Sequence, residues 1–148
     1  MQENRGLEFN AFGELTKRVR ILGGVTLLKA LLVDTGTGND GNKAPGTPEV
    51  QVSLGSEWDI PGIRGLTLVG RVLYSSFQYY DPANTITVPE WTRVDLGARY
   101  ETVMFDRDMI FRATVENVAE KSYWSSAAGS TLTLGAPRRF LLSGTAKF

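Results

Sequence analysis

The chain has 148 residues, 42% of them hydrophobic, and sixteen basic and sixteen acidic side chains that give a formal net charge of zero. This length suits one domain, and the balanced charge argues against a nucleic-acid partner or a polybasic membrane patch. Because the sequence contains no Cys and no His, it excludes disulfides, thiol catalysis, the usual zinc sites and a Ser-His-Asp triad. No apolar run is long enough for a spanning helix, and the polar start MQENRG lacks the apolar stretch of a secretory signal.

The earlier segments of the chain predict strands with some ambiguity. GLEFNAFGEL, and later LTLVGRVLYSSFQYY, alternate loosely between apolar and polar residues. VRILGGVTLLKALLVD is apolar enough to permit a helix over residues 25–33, but Gly23, Gly24 and the neighbouring strands favour a strand. We therefore expect strands throughout this part of the chain.

Four further segments alternate strictly and predict two-faced strands. They are EVQVSLGSEW, TRVDLGARY, MIFRATVEN and the terminal RRFLLSGTAKF. In TRVDLGARY one face carries Val94 and Leu96, and the other carries Arg93, Asp95 and Arg99. A packed core would reject charges in the middle of a strand, whereas a water-filled lumen would accept them.

The connections between these strands alternate between short and long. LTKRVR, DIPGIRG and FDRD read as tight turns, whereas TGTGNDGNKAPGT, YDPANTITVPE and YWSSAAGSTLTLGAPR are longer and rich in turn-forming residues. This order predicts an all-β fold, an antiparallel up-and-down meander of about seven strands with its tight turns on one edge. Short turns on one edge and longer loops on the other are typical of a transmembrane β-barrel, whose strands of roughly 9–11 residues cross the bilayer at a tilt of about 45°.

A soluble β-sandwich or a small barrel also alternates apolar and polar residues, so the pattern alone leaves this alternative open. The aromatic residues favour a membrane barrel, because they gather near the predicted strand ends as interfacial girdles do. These residues are Trp58, Tyr74, Phe77, Tyr79, Tyr80, Trp91, Tyr100, Phe105, Tyr123 and Trp124.

The segment VENVAEKSYW, followed by GAPRRFLLSGTAKF, resembles the closing strands of TonB-dependent outer-membrane receptors. Ala119 and Glu120 stand where that family more often has Phe and Asp. Upstream, NTITVPEWTRVDLGARYE and GLEFNAFGELTKRVRILGGVTLL are similar to earlier strands of the ferric-siderophore branch, so the resemblance covers nearly the whole chain. The matching residues of the closing strands are Asn117, Val118, Lys121, Tyr123, Trp124, Gly135, Pro137 and Arg138.

The resemblance implies a barrel of twenty-two strands around an N-terminal plug that engages the TonB energy-transducing complex. Phe148 would be the terminal aromatic residue read by the barrel-assembly machinery, although Ser143 and Ala146 depart from the usual pattern. With about seven strands, residues 1–148 are expected to form the C-terminal segment of such a barrel, with the plug domain and the earlier strands absent. Its place would be the outer membrane of a Gram-negative bacterium, in contact with lipid.

The function that the resemblance implies is energy-coupled uptake of a ferric siderophore, without covalent chemistry, enzymatic activity, cofactor or resident metal. Tyr79, Tyr80, Tyr123 and Trp124 are candidate ligand contacts, because flat rings stack on siderophores; as an alternative, they anchor the barrel at the membrane interface. The charged residues expected to face the lumen would contact the plug, attract an anionic chelate or form cross-strand pairs, such as Asp95 opposite an Arg. These lumen-facing candidates are Arg71, Arg93, Asp95, Arg99, Arg112 and Glu116.

Other sites find little support in the sequence. No Lys-Ser/Thr follows the glycines of LGG or TGTGNDG, and DTGTGNDGN lacks the closing Glu of a calcium-binding loop. No spacing selects a pair of catalytic carboxylates. The remaining alternative is a soluble all-β binding module, a sandwich or a small barrel, for an apolar ligand or a partner protein, which predicts solubility without detergent.

Overall fold

The computed structural model of the chain describes residues 1–128 and 131–147, and the predicted assembly residue Phe148 lies outside them. Within the described residues the chain forms eleven strands and no helix. The strands are β1 (Gln2–Thr16), β2 (Val19–Leu32), β3 (Val50–Asp59), β4 (Leu66–Ser75), β5 (Gln78–Tyr79), β6 (Thr87–Val88), β7 (Trp91–Met104), β8 (Arg107–Glu116), β9 (Trp124–Ala128), β10 (Thr131–Leu134) and β11 (Arg139–Ala146).

Seven of these strands form one antiparallel sheet in the order β1-β2-β3-β4-β7-β8-β11. Each strand of this sheet pairs with the strand that follows it within the sheet, as the alternating connections predict, while β5, β6, β9 and β10 lie outside this sheet. The all-β fold and the seven-stranded up-and-down meander are confirmed. Residues 25–32 of the ambiguous segment belong to β2, and Val33 follows its last residue. The segment is therefore a strand and not a helix.

The tight turns lie together at one edge of the sheet, which we call the turn edge. Phe105 and Asp106 make the turn between β7 and β8 and have positive φ values of 55° and 58°. In the turn between β3 and β4, Gly65 has a φ of +82°, and a Cβ there would lie 2.0 Å from the carbonyl oxygen of Glu101. Only glycine fits this close approach of two backbones.

The long connections lie at the opposite edge, which we call the loop edge, and they contain two short hairpins that the sequence did not predict. Gln78 and Tyr79 of β5 pair with Val88 and Thr87 of β6, and β9 pairs with β10. The segment LTLVGRVLYSSFQYY is therefore not one strand, since β4 ends at Ser75. Beyond that residue the Ser76 N–H still donates to the Val50 carbonyl oxygen at 2.9 Å, but β5 pairs with β6 inside the same loop.

The register divides the side chains of the seven-stranded sheet into two faces. Large side chains of the apolar face stay open to solvent: Leu7 is 74% exposed, Phe9 71% and Leu142 84%. The buried hydrophobic residues among those described, Ala30, Ala44, Val88, Tyr123 and Ala127, are few and mostly small. The apolar face carries Leu7, Phe9, Ala11, Val25, Leu27, Val50, Val52, Leu54, Leu68, Val72, Val94, Leu96, Phe111, Ala113, Phe140 and Leu142.

An uncovered apolar face of this size is the surface of a protein that contacts lipid or another apolar partner. The described part of the chain contains no helix that is long and apolar enough to cross a membrane.

Candidate functional site

The polar face of the sheet carries charged side chains from all seven of its strands, including Glu8 and Glu14 of β1. Cross-strand register places Arg71 opposite Asp95, Arg99 opposite Arg112, and Glu116 opposite Arg139. All six residues that the sequence assigns to a lumen therefore share one face; that this face lines a lumen stays a prediction. The charged residues of the polar face on β2 to β11 include Arg20, Glu57, Asp59, Arg71, Arg93, Asp95, Arg99, Arg112, Glu116 and Arg139.

Arg93 and Asp95 form the most buried ion pair of the polar face. The guanidinium donates from Nε to Oδ1 at 2.8 Å and from Nη2 to Oδ2 at 2.7 Å. Only 13% and 8% of the two side chains are exposed. Glu116 extends the cluster, since its carboxylate lies 3.9 Å from Arg93 and accepts a hydrogen bond of 3.0 Å from Arg139 Nε. Asp95 does lie opposite Arg71, as the sequence suggests, but its ion pair is with an arginine of its own strand.

A second charged cluster lies nearer the turn edge, and the sequence analysis missed most of it. Arg20 of β2 donates two hydrogen bonds of 2.7 Å to Asp59 and one of 3.2 Å to Glu57. Arg99 reaches the same Glu57 at 3.4 Å and lies 3.0 Å from Glu101. The alternation of polar residues in EVQVSLGSEWD indicates that Glu57 and Asp59 share one face. That Arg20 of β2 is their partner depends on the register between β2 and β3.

Asn117 connects this face to the last long connection. Its backbone N–H donates to Asp95 Oδ1 at 2.8 Å, its side-chain amide donates to the carbonyl oxygens of Lys121 at 2.9 Å and Ala136 at 3.1 Å, and its Oδ1 accepts from the Lys121 N–H at 2.8 Å. The residue is 1% exposed and has a φ of 53°. Asparagine suits this position, because it tolerates the left-handed region better than other residues with a side chain and can bond both ends of the connection.

Tyr123 packs inside the same connection. Its ring stacks on Trp91 with centroids 4.3 Å apart, and its hydroxyl accepts a hydrogen bond of 3.4 Å from Arg93 Nη1. Gly135 lies against the ring and donates its N–H to the Tyr123 carbonyl oxygen at 2.8 Å. With 9% of its surface exposed, Tyr123 holds the connection together in this structure, and a role in ligand stacking stays a prediction.

We expect Gly135→Ala to destabilise this connection by about 1–3 kcal/mol, the usual range for overpacking. A Cβ at this position would lie 2.3–2.5 Å from atoms of the Tyr123 ring, which cannot retreat because Trp91 lies on it. Urea unfolding in detergent micelles, followed by tryptophan fluorescence, measures the change. Gly36→Ala tests an exposed loop glycine with no atom within 4 Å of the added methyl, although its φ of +65° brings backbone strain. If Gly135→Ala lowers the free energy of unfolding no more than Gly36→Ala does, the Tyr123 ring is free to move away from the added methyl group.

The other candidate aromatics lie nearer the surface of the loops. Trp124 is 40% exposed, and Tyr79 makes an edge-to-face contact with Phe77 at 5.8 Å between centroids. Lys43 Nζ lies 5.1 Å from the centroid of the Phe77 ring and 5.9 Å from that of Tyr79. Tyr80 lies at the loop edge beside them, with its N–H bonded to the Ile86 carbonyl oxygen at 2.9 Å. Ligand binding by these rings stays a prediction.

Two long connections, residues 33–49 and 76–90, are joined to each other by hydrogen bonds. The Lys43 N–H donates to Asn84 Oδ1 at 2.8 Å, and the Asn84 amide donates back to the Lys43 carbonyl oxygen at 2.9 Å. Asp81 closes its own loop, and the hydrogen bonds from the N–H groups of Ile86 and Thr85 hold the pKa of that carboxyl below its ordinary value. These hydrogen bonds hold the two connections together at the loop edge.

The chemistry of these groups suits non-covalent binding. Within residues 1–128 and 131–147 there is no group of three or more side chains able to hold a metal ion. Eight of the ten charged residues named on the polar face form ion pairs with one another, whereas Arg71 bonds Ser53 and no ion pair of Arg112 is seen among the described residues. The four candidate aromatic residues lie at the loop edge. This arrangement offers charge and ring surfaces to a partner or a ligand on the polar side and an apolar surface on the other.

The family model described as "TonB dependent receptor-like, beta-barrel" matches residues 1–118. The chain belongs to the TonB-dependent receptor β-barrel family. This membership confirms the resemblance stated from the sequence and the predicted place in the outer membrane. The family consists of transport receptors.

Individual relatives agree with this assignment. The chain is 41% identical to the ferrichrome receptor FcuA of Yersinia enterocolitica over 150 residues, which cover 99% of this chain and 20% of that receptor. It is 27% identical to PiuA of Acinetobacter baumannii, described as a probable TonB-dependent siderophore receptor, over 136 residues that cover 84% of this chain and 18% of that protein.

The solved structure of BauA, the ferric preacinetobactin receptor of Acinetobacter baumannii, superimposes on the chain with a TM-score of 0.92 and 42% identity, over 99% of this chain and 22% of BauA. The chain therefore spans about a fifth of the length of the curated relatives it matches.

Proposed function

We propose that the chain forms the C-terminal part of the barrel wall of an outer-membrane receptor that takes up ferric siderophores with energy from TonB. The observation that carries this proposal is the 41% identity to a ferrichrome receptor along 99% of the chain. Its share of about a fifth of that receptor supports the view that a plug domain and the earlier strands belong to the rest of a longer protein.

Each surface of the sheet has a role in this proposal. The apolar face contacts membrane lipid, and the polar face lines the lumen and meets the plug. The loop edge, with Tyr79, Tyr80, Tyr123 and Trp124, lies at the outside, where a siderophore arrives. Transport requires no bond making or breaking, so we assign no enzymatic activity and no cofactor. Phe148 would serve the barrel-assembly machinery, and the TonB complex would act through the plug.

An exchange experiment tests this function. The aligned segment of Yersinia FcuA is replaced by this chain, and the hybrid is expressed in cells that lack their own ferrichrome receptor. We expect a barrel in the outer membrane, detected by its altered gel mobility after heating, and uptake of labelled ferrichrome that disappears when TonB is removed. A hybrid that does not insert, or that inserts and does not transport, would contradict the proposal.

The isolated chain provides a simpler test. We expect it to fold into β-structure only in detergent micelles and to aggregate in plain buffer, because its apolar face and both edge strands are uncovered. Size-exclusion chromatography with light scattering and far-ultraviolet circular dichroism measure this. A β-rich monomer in plain buffer would instead indicate a soluble binding module.

A further inference from the structure

Two basic side chains lie side by side at the loop-edge end of the apolar face. Arg5 of β1 is directly opposite Lys29 of β2, in the same register that pairs Leu7 with Leu27 and Phe9 with Val25. Both cations are exposed. The next pair toward the loops is Glu3 with Leu31. The two cations therefore stand where the apolar face ends, on the side where the long connections lie.

Like charges directly opposite each other on paired strands destabilise a sheet unless an anion offsets them. The carboxylates of the described residues offset the positive charges in this region only in part. Arg5 Nε donates to Glu3 Oε1 at 2.7 Å, and the nearby Lys43 lies 3.0 Å from Glu49. Lys29 makes no hydrogen bond or ion pair with any side chain in the described part of the chain. One positive charge is left without a carboxylate at the margin of an apolar surface.

We propose that Arg5 and Lys29 bind the phosphate of a lipid head group at this margin. This inference rests on the proposed place of the chain in the outer membrane. The long side chains of Arg and Lys extend from an apolar surface to the level of head groups, where a phosphate provides the anion that the pair lacks. A guanidinium donates through several N–H groups, so Arg5 can hold Glu3 and a phosphate oxygen together. The lipid acyl chains then lie along Leu7, Leu27 and Phe9.

The test uses the full chain refolded in an uncharged detergent and doped with phosphatidylglycerol, and native mass spectrometry measures the lipid retained at each concentration. We expect Arg5→Gln with Lys29→Gln to weaken retention about 25-fold, the product of roughly fivefold for each cation removed near a membrane surface. The matched control is Lys17→Gln with Arg18→Gln, which makes the same change in the turn of the same hairpin. The control is expected to retain the lipid as the unaltered chain does.

The outcomes separate this inference from the proposed function. A chain that folds in micelles but retains lipid equally in both double variants would overturn the phosphate site and leave the receptor assignment intact. A chain that folds without detergent would overturn both. Retention that inorganic phosphate abolishes at matched concentration would assign the site to free phosphate and overturn the lipid assignment. If the double variant does not refold, Lys29→Gln alone decides, because it breaks no ion pair of the described chain.

Discussion

Asp95→Asn is expected to lower the free energy of unfolding in micelles by about 3 kcal/mol, the lower end of the range for breaking a buried ion pair. The asparagine keeps the volume of the side chain and an oxygen that can accept the N–H of Asn117. It removes the negative charge. In the unaltered protein the Asp95 carboxylate accepts two hydrogen bonds from Arg93, whose side chain is only 13% exposed, so the variant leaves this buried cation without its charged partner. Glu116, at 3.9 Å, is too far away to replace that partner fully.

Urea unfolding followed by circular dichroism measures this loss. Asp108→Asn is the matched control, because Asp108 is an exposed residue of β8 near the turn edge, and its change should stay within about 0.5 kcal/mol. Equal midpoints for the two variants would mean that the Arg93 charge is well solvated and that the pair contributes little. Arg93→Gln should restore part of the stability in the Asp95→Asn background, since it removes the unpaired cation.

Replacement of Asn117 is the second change with a large expected effect. Asn117→Gly keeps a residue that accepts a φ of 53° but loses the three hydrogen bonds of the side chain, so we expect a loss of about 3 kcal/mol at about 1 kcal/mol for each bond. Asn117→Ala should lose about 1 kcal/mol more, because alanine in the left-handed region adds backbone strain. The difference between the two variants isolates the backbone conformation from the hydrogen bonds.

The same urea experiment applies, with near-ultraviolet circular dichroism to follow the stacked Trp91 and Tyr123. The control is Asn39→Ala, which removes a single exposed hydrogen bond to Thr37. Stability unchanged in both Asn117 variants would show that residues 117–138 are held by other contacts.

The motif residues of the last connection now have physical roles. Asn117, Tyr123 and Gly135 carried the resemblance to the receptor family in the sequence. In the structure Asn117 bonds both ends of the connection, Tyr123 stacks on Trp91, and Gly135 leaves room for the tyrosine ring. These three residues hold the last long connection in place. This structural role accounts for their presence in the motif that resembles the receptor family.

The short hairpins and the ion-pair partners were beyond prediction from the sequence. β5 has two residues, too few for alternation to be visible, and it pairs with β6 within a loop. Arg20 finds Asp59, which is 39 positions away, because β2 and β3 pair in one particular register. Sequence reasoning can place each charge on the polar face but cannot choose its partner.

The sequence by itself determined the seven strands of the main sheet, the order of short and long connections, the two faces and the family. Side chains alternate along an extended strand whatever lies beside it, and the turn residues act locally, so both signals can be read from the chain. The tertiary structure alone decided the pairing of Arg93 with Asp95, the burial of Tyr123 and the meeting of Arg5 with Lys29. These depend on strand register and on contacts between segments distant in sequence, which a local pattern does not encode.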